Sequence, residues 1–174
     1  MKISTKLQLL CFLICMGLGA TTYVSYKLEK NTFAVIKNIK EHDSKISHSI
    51  AEIRFAVVQV QQWLTDIGVT RAAPGLDDGY TEAQKYAESV RENIAILRLE
   101  VPRKNALFKE FITEFELYYI HGKKMAQAYI DHGTEAGNKT MKEFDDYATT
   151  LANRLLEVQK WSKLEYNNGI NETA

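Results

Sequence analysis

Residues 56–67 have the sequence AVVQVQQWLTDI, and the fold depends on which of two patterns in it prevails. The first half alternates apolar and polar residues like a half-buried strand, whereas the second half has the three- and four-residue spacing of a helix. The neighbouring sequence favours the helix, because the apolar positions continue one unbroken three–four series. That series is Ile36, Ile39, Asp43, Ile46, Ile50, Ile53, Val57, Val60, Leu64 and Ile67.

The series predicts one long helix with a coiled-coil-like seam. Asp43 is the polar residue in that seam, and such a residue more typically sets the register or the number of paired helices than forms a binding site. Proline, glycine and aspartate in 73–79 break this helix. Thr81 and Gln84 are typical of a capping box that opens a second helix. Pro102 is placed to open a third helix, and Gly133 to close it. We expect helices over about 27–72, 80–99, 102–132 and 134–167.

Short connections between amphipathic helices make neighbours antiparallel. The sequence therefore predicts an all-α fold: an antiparallel up-down-up-down four-helix bundle with long first and fourth helices, preceded by an N-terminal transmembrane helix. The bundle is expected to occupy residues 27–174. Lys+Arg and Asp+Glu both total 22, which gives no support for a nucleic-acid partner.

The transmembrane prediction rests on the segment between Lys6 and Lys27, which contains no charged residue. Its length is typical of a membrane-spanning helix, and basic residues precede it. A cleavable signal peptide is the alternative, although Leu18 is a poor residue three positions from a cut at Ala20. We expect residues 1–6 in the cytoplasm, a single span at 7–26 in the inner (cytoplasmic) membrane, and a bundle in the periplasm or extracytoplasmic space.

Enzyme and cofactor chemistry have little support in the sequence. Both cysteines, Cys11 and Cys15, lie in the predicted span, so the bundle has neither a disulfide framework nor a Cys-based metal or haem site. His48 and Glu52 have a ligand-like spacing, but facing helices do not repeat it as a di-iron bundle requires. No nucleotide-binding or nucleophile motif is present. We expect no catalytic residues, no metal and no cofactor.

Polar side chains are expected to gather where helices one and two, and helices three and four, are connected. Arg71 is the best candidate for binding an anionic ligand, because its planar guanidinium matches a carboxylate. The alternative is that Arg71 pairs with Asp66, Asp77 or Asp78, and that the tyrosines here belong to the core. The candidate ligand-binding residues are Gln62, Asp66, Thr70, Arg71, Tyr118, Tyr129 and Asn138.

The first helix also has apolar residues outside its main seam, so it is apolar on more than one face. Such a helix usually has a second partner, here predicted to be the same helix of another copy. Dimer packing is favoured over direct ligand contact. The candidate dimer residues are Phe55, Val58, Gln59, Gln62 and Trp63.

Two blocks, VVQVQQWLTDIGVTRAAPGLDDGYTEAQK (57–85) and GKKMAQAYIDHGTEAGNKTMKEFD (122–145), resemble sequence in the sensory region of bacterial methyl-accepting chemotaxis proteins. The resemblance implies a signal-transducing homodimer that binds a small ligand at the membrane-distal end of its bundle. Binding would displace a helix that returns to the lipid bilayer. The same module also precedes histidine kinases and cyclases. A membrane-anchored helical adaptor that binds a protein partner is the alternative.

Overall fold

The computed structural model describes the backbone of residues 3–171 and the side chains of 12–33, 36–37 and 40–165. The described residues form helices and short connections with no strand, which confirms the all-α class. The helices are α1 (Ile3–Thr70), α2 (Gly79–Glu100), a 3₁₀ helix (Pro102–Lys104), α3 (Asn105–His132) and α4 (Thr134–Asn171).

The predicted transmembrane helix requires correction. Across the described residues, no helix combines the length and apolarity needed to cross a membrane. Side chains 7–11 of the expected 7–26 span lie outside the described residues, as do those of the expected cytoplasmic segment 1–6. A span needs about 20 mostly apolar residues. The span, the inner-membrane location and the periplasmic placement are therefore contradicted.

The chain divides into two units, residues 1–42 and residues 43–174. In the first unit, the side chains of 12–33 are exposed, and so is Ile36. The predicted seam is buried from Ile46 onward, apart from the half-buried Val57, because the second unit supplies partners for it. Ile39 lies outside the described side chains. Periodicity alone therefore placed the beginning of the buried seam too early.

The second unit contains four antiparallel helical segments. Lys45 of α1 pairs with Glu100 at the end of α2 at 3.2 Å. At the other end of this pair, a Cβ added to Gly79 would lie 2.8 Å from the Ile67 side chain. Glycine at position 79 thus lets the beginning of α2 approach the last turns of α1.

The remaining helices follow short connections. The 3₁₀ helix joins α2 to α3, and Gly133, with φ 80°, ends α3 just before α4. Arg91 on α2 donates to Glu116 on α3 at 2.7 Å. Arg154 on α4 donates to Glu114 on α3, also at 2.7 Å. These ion pairs lie at the rims of an apolar interior.

Aromatic residues at helical spacing fill that interior. Phe108, Phe111, Phe115 and Tyr118 follow one another on α3, and all four are fully buried. The Tyr118 ring stacks on Phe144 of α4 with centroids 5.0 Å apart. This aromatic column fixes how α3 sits between α1 and α4, and so positions the end of α3 at the candidate site.

Candidate functional site

A polar cluster that contains several predicted ligand residues lies where the end of α1 meets the last turn of α3. The Arg71 Nε donates to the Tyr129 carbonyl oxygen at 3.1 Å, and Nη2 donates to the Ile130 carbonyl oxygen at 3.2 Å. The last four carbonyls of a helix lack partners within it. Arg71 therefore bonds the C-terminal end of α3 with two of its five N–H donors.

The partners of Arg71 differ from the aspartates that the sequence offered as an alternative to a ligand. They are backbone carbonyls and not the carboxylates of Asp66, Asp77 or Asp78, all three of which are described. Thr70 accepts the Ala72 N–H through its hydroxyl at 3.3 Å. This hydrogen bond holds the first residues after α1 in place.

Tyr129 joins Arg71 to the beginning of α4. Its hydroxyl donates to Asn138 Oδ1 at 2.6 Å, while its carbonyl oxygen accepts from Arg71. Its ring covers Gly137 so closely that an added Cβ would lie 2.3 Å from ring carbons. Thr70, Arg71, Tyr129 and Asn138 thus meet at one place, which we call the Arg71 corner.

The other three predicted ligand residues lie elsewhere. Tyr118 is buried, and its hydroxyl donates to the Val57 carbonyl oxygen at 3.1 Å. Burial raises the pKa of its phenol well above the ordinary value. Gln62 and Asp66 are exposed on α1, and Gln62 accepts from Gln59 Nε2 at 3.3 Å. The predicted set is therefore divided between a corner, a core position and an exposed helix face.

The Arg71 corner has the chemistry to bind a small anion. Arg71 is exposed, and three guanidinium N–H donors remain after its two bonds to α3. Charge-assisted hydrogen bonds from a guanidinium to a carboxylate or phosphate are shorter and stronger than neutral ones. A ligand bound here would contact α1 directly and α3 through Arg71.

The predicted dimer residues also separate into two groups. Phe55 and Val58 are 54% and 59% exposed, and Gln62 is exposed beside them. Trp63 instead packs against the core, and its Nε1 is buried with no hydrogen-bond partner in the described structure. Trp63 therefore belongs to the packing inside the unit and not to an outer face.

Exposed residues, with the half-buried Thr65 among them, form a longer row than the predicted dimer residues. Val69 is 85% exposed, and it continues the three–four spacing from Gln62 through Thr65. Ala51 extends the row in the other direction. Extending the heptad count in both directions would have found both residues. We call this row the outer α1 stripe: Ala51, Phe55, Val58, Gln62, Thr65 and Val69.

Two further features of the described chain resemble binding sites. His48 Nδ1 lies 4.0 Å from Glu52 Oε1, but nowhere in the described part of the chain do three potential metal ligands converge. An open groove of about 340 Å³ lies between α1 and α4, away from the Arg71 corner. It contains none of the predicted ligand residues. Its lining residues are Ser47, Ile50, Gln159, Ser162 and Lys163.

Comparison of the chain with models of known protein families, with curated proteins and with solved structures finds no match.

Proposed function

We propose that this chain is a sensor module of the chemotaxis-receptor type that works as a homodimer and responds to a small anionic ligand. Two copies pair along the outer α1 stripe, and the ligand binds at the Arg71 corner. The exposed, uncharged stripe is the observation that carries the proposal. The resemblance of residues 57–85 and 122–145 to chemotaxis receptors adds to it.

The stripe suits a second copy of the same helix. Its six residues have heptad spacing, which is the pattern by which two helices pack side by side. None of the six is charged, so two stripes can face each other without like-charge repulsion. Phe55, Val58 and Val69 together expose apolar surface that pairing would remove from water.

The flanking residues are compatible with a parallel, in-register pair. In that arrangement the positions beside the seam bring Arg54 next to Gln59 of the second copy. They also bring Gln61 next to Asp66 of the second copy. No pair of like charges results, so electrostatics does not oppose this orientation.

Sensing and pairing would act on the same helix. α1 carries the stripe, and Arg71 follows its last residue, Thr70. An anion that binds Arg71 would therefore bias the position of the helix that holds the two copies together. Packed interfaces respond to such small changes by moving between discrete arrangements.

The main alternative is an adaptor whose stripe binds a helix of a different protein. The same apolar row would serve for that partner, as in other helix-in-groove recognition. A sensor module linked to a histidine kinase or a cyclase would share the homodimer and differ only in its output. Self-association therefore separates the adaptor from the sensor.

Sedimentation equilibrium of the full chain tests the homodimer. We expect a reversible dimer whose dissociation constant rises by at least roughly a hundredfold in Val58→Asp, because each copy would bury an unpaired carboxylate. Leu99→Asp is the matched control: Leu99 is 80% exposed on α2 and lies outside the stripe. A wild-type chain that stays monomeric up to high concentration would contradict the dimer and favour the adaptor.

Titration calorimetry with phosphate and succinate tests the anion site. We expect binding by the wild type and at least about tenfold weaker binding by Arg71→Ala, because a charge-assisted hydrogen bond is lost. Arg54→Ala removes an exposed guanidinium from α1, away from the Arg71 corner, and should bind like the wild type. Binding that survives Arg71→Ala, or that Arg54→Ala also abolishes, would place the anion elsewhere.

A further inference from the structure

We propose that Arg71 is a conformational latch, which holds the α1–α2 connection in a strained backbone form by bonding the end of α3. The latch has two components. One is the pair of hydrogen bonds from the guanidinium to the Tyr129 and Ile130 carbonyls. The other is the left-handed backbone of Arg71 and Ala72, and the strain in this backbone opposes the two hydrogen bonds.

The backbone strain is located at two consecutive residues. Arg71 has φ 52° and Ala72 has φ 49°, and they are the non-glycine residues with positive φ in the described chain. The left-handed region brings Cβ close to the following carbonyl oxygen, so L-residues other than glycine avoid it. Gly75, later in the same connection, also has positive φ but no Cβ to strain it.

The two components are mechanically linked because Arg71 belongs to both. Its backbone is left-handed, and its side chain is held 3.1 Å and 3.2 Å from the two carbonyls of α3. Strained backbone persists only where surrounding contacts enforce it. If the guanidinium is released, residues 71–72 can relax, and the α3–α4 turn loses its bond to α1.

The latch therefore gives the connection two states, closed and open. The amides of Ala73 and Leu76 report on the α1 side. The Ala73 N–H donates to the Thr70 carbonyl oxygen at 3.1 Å, and the Leu76 N–H donates to the Ala73 carbonyl oxygen at 2.8 Å. Gly133 reports on the α3 side, because its N–H bonds the same Tyr129 carbonyl that accepts from Arg71. The dimer proposed above is not needed for either state.

Residue-resolved hydrogen exchange of the full chain by NMR tests the latch. In Arg71→Ala, which keeps a Cβ at the strained position, we expect the Ala73, Leu76 and Gly133 amides to exchange roughly tenfold to a hundredfold faster. A hydrogen bond from a charged group contributes about that factor. Arg98→Ala removes an exposed guanidinium at the far end of α2 and should leave all three amides unchanged.

A second pair of variants tests the strain in the opposite direction. Ala72→Gly removes the steric conflict and should slow exchange at Leu76 and Gly133 roughly fivefold. Ala73→Gly, one residue later and without positive φ, should speed exchange or leave it unchanged, because glycine there only adds freedom to the open state.

Two results would overturn the latch. One is that Arg71→Ala speeds exchange at Ala73 and Leu76 but leaves Gly133 unchanged, which would make the strain a local property of the loop. The other is that Ala72→Gly speeds exchange as Ala73→Gly does, which would mean that no strain is held against the guanidinium.

Discussion

Gly137→Ala is expected to destabilise the bundle by about 1–3 kcal/mol, which lowers the melting temperature by roughly 2–12 °C. The new Cβ would lie 2.3 Å from the Tyr129 ring carbons Cδ1 and Cγ, so the ring would have to move. The ring is held at one end by its hydroxyl bond to Asn138 and is buried. Overpacking therefore outweighs the gain of up to about 1 kcal/mol that alanine brings to a helix. Circular dichroism at rising temperature measures the change.

Gly19→Ala is the matched control for that substitution. A Cβ at Gly19, also within a helix, would meet nothing within 4 Å. This variant should melt at the wild-type temperature or slightly above, because only helix propensity changes. If Gly137→Ala behaves in the same way, the Tyr129 ring is free to turn aside and the Arg71 corner is not tightly packed.

Stability is expected to fall steeply above pH 10, and Tyr118 should account for a separable share of that fall. Burial raises the pKa of the Tyr118 phenol far above 10.0 in the folded chain. The unfolded chain ionises this phenol near pH 10, so above that pH it binds fewer protons than the folded chain. The contribution of Tyr118 to the free energy of unfolding keeps its full value below pH 10. Above pH 10 it decreases by up to about 1.4 kcal/mol per pH unit.

Tyr118→Phe isolates this contribution. The variant should lose about 1 kcal/mol at pH 8, because the hydrogen bond to the Val57 carbonyl is removed. It should then lose less stability than the wild type between pH 10 and pH 11. Burial also raises the pKa values of Tyr80 and Tyr119, but both proteins retain these residues. Urea unfolding at pH 8, 10 and 11 measures the difference.

Tyr23→Phe controls for the loss of a phenol as such. Tyr23 is 65% exposed, so this variant should follow the wild type at every pH. Parallel stability curves for the wild type and Tyr118→Phe would mean that the buried phenol ionises without unfolding.

The helices could be predicted from sequence because their signals are local. The three–four spacing identified α1 through Ile67, and Gly133 marked the end of α3, where the structure places a positive φ. The capping box at Thr81 and Gln84 was wrong, because α2 begins at Gly79 and Gln84 donates to Glu88. The close approach of Gly79 to α1 is a tertiary contact, which no local motif reports.

The candidate site was less predictable, since its contacts join distant parts of the chain. The sequence pointed to Arg71, but its bonding to carbonyls 58 and 59 residues later depends on how α1 and α3 are packed. The tyrosine hydroxyl suggests Tyr118 as a ligand residue, although its spacing from Phe111 and Phe115 places it on the core stripe. Periodicity was the better guide there, and side-chain chemistry was misleading.

Tyr129 makes the Arg71 corner a set of mutually dependent positions. Its ring lies against both Gly137 and Gly68, its hydroxyl bonds Asn138, and its carbonyl bonds Arg71. The residues acceptable at 68 and 137 therefore depend on the size of residue 129, and the effects of substitutions there will not add. Evolutionary change at this corner must then proceed through compensating pairs, so homologous chains should vary at 68, 129 and 137 together.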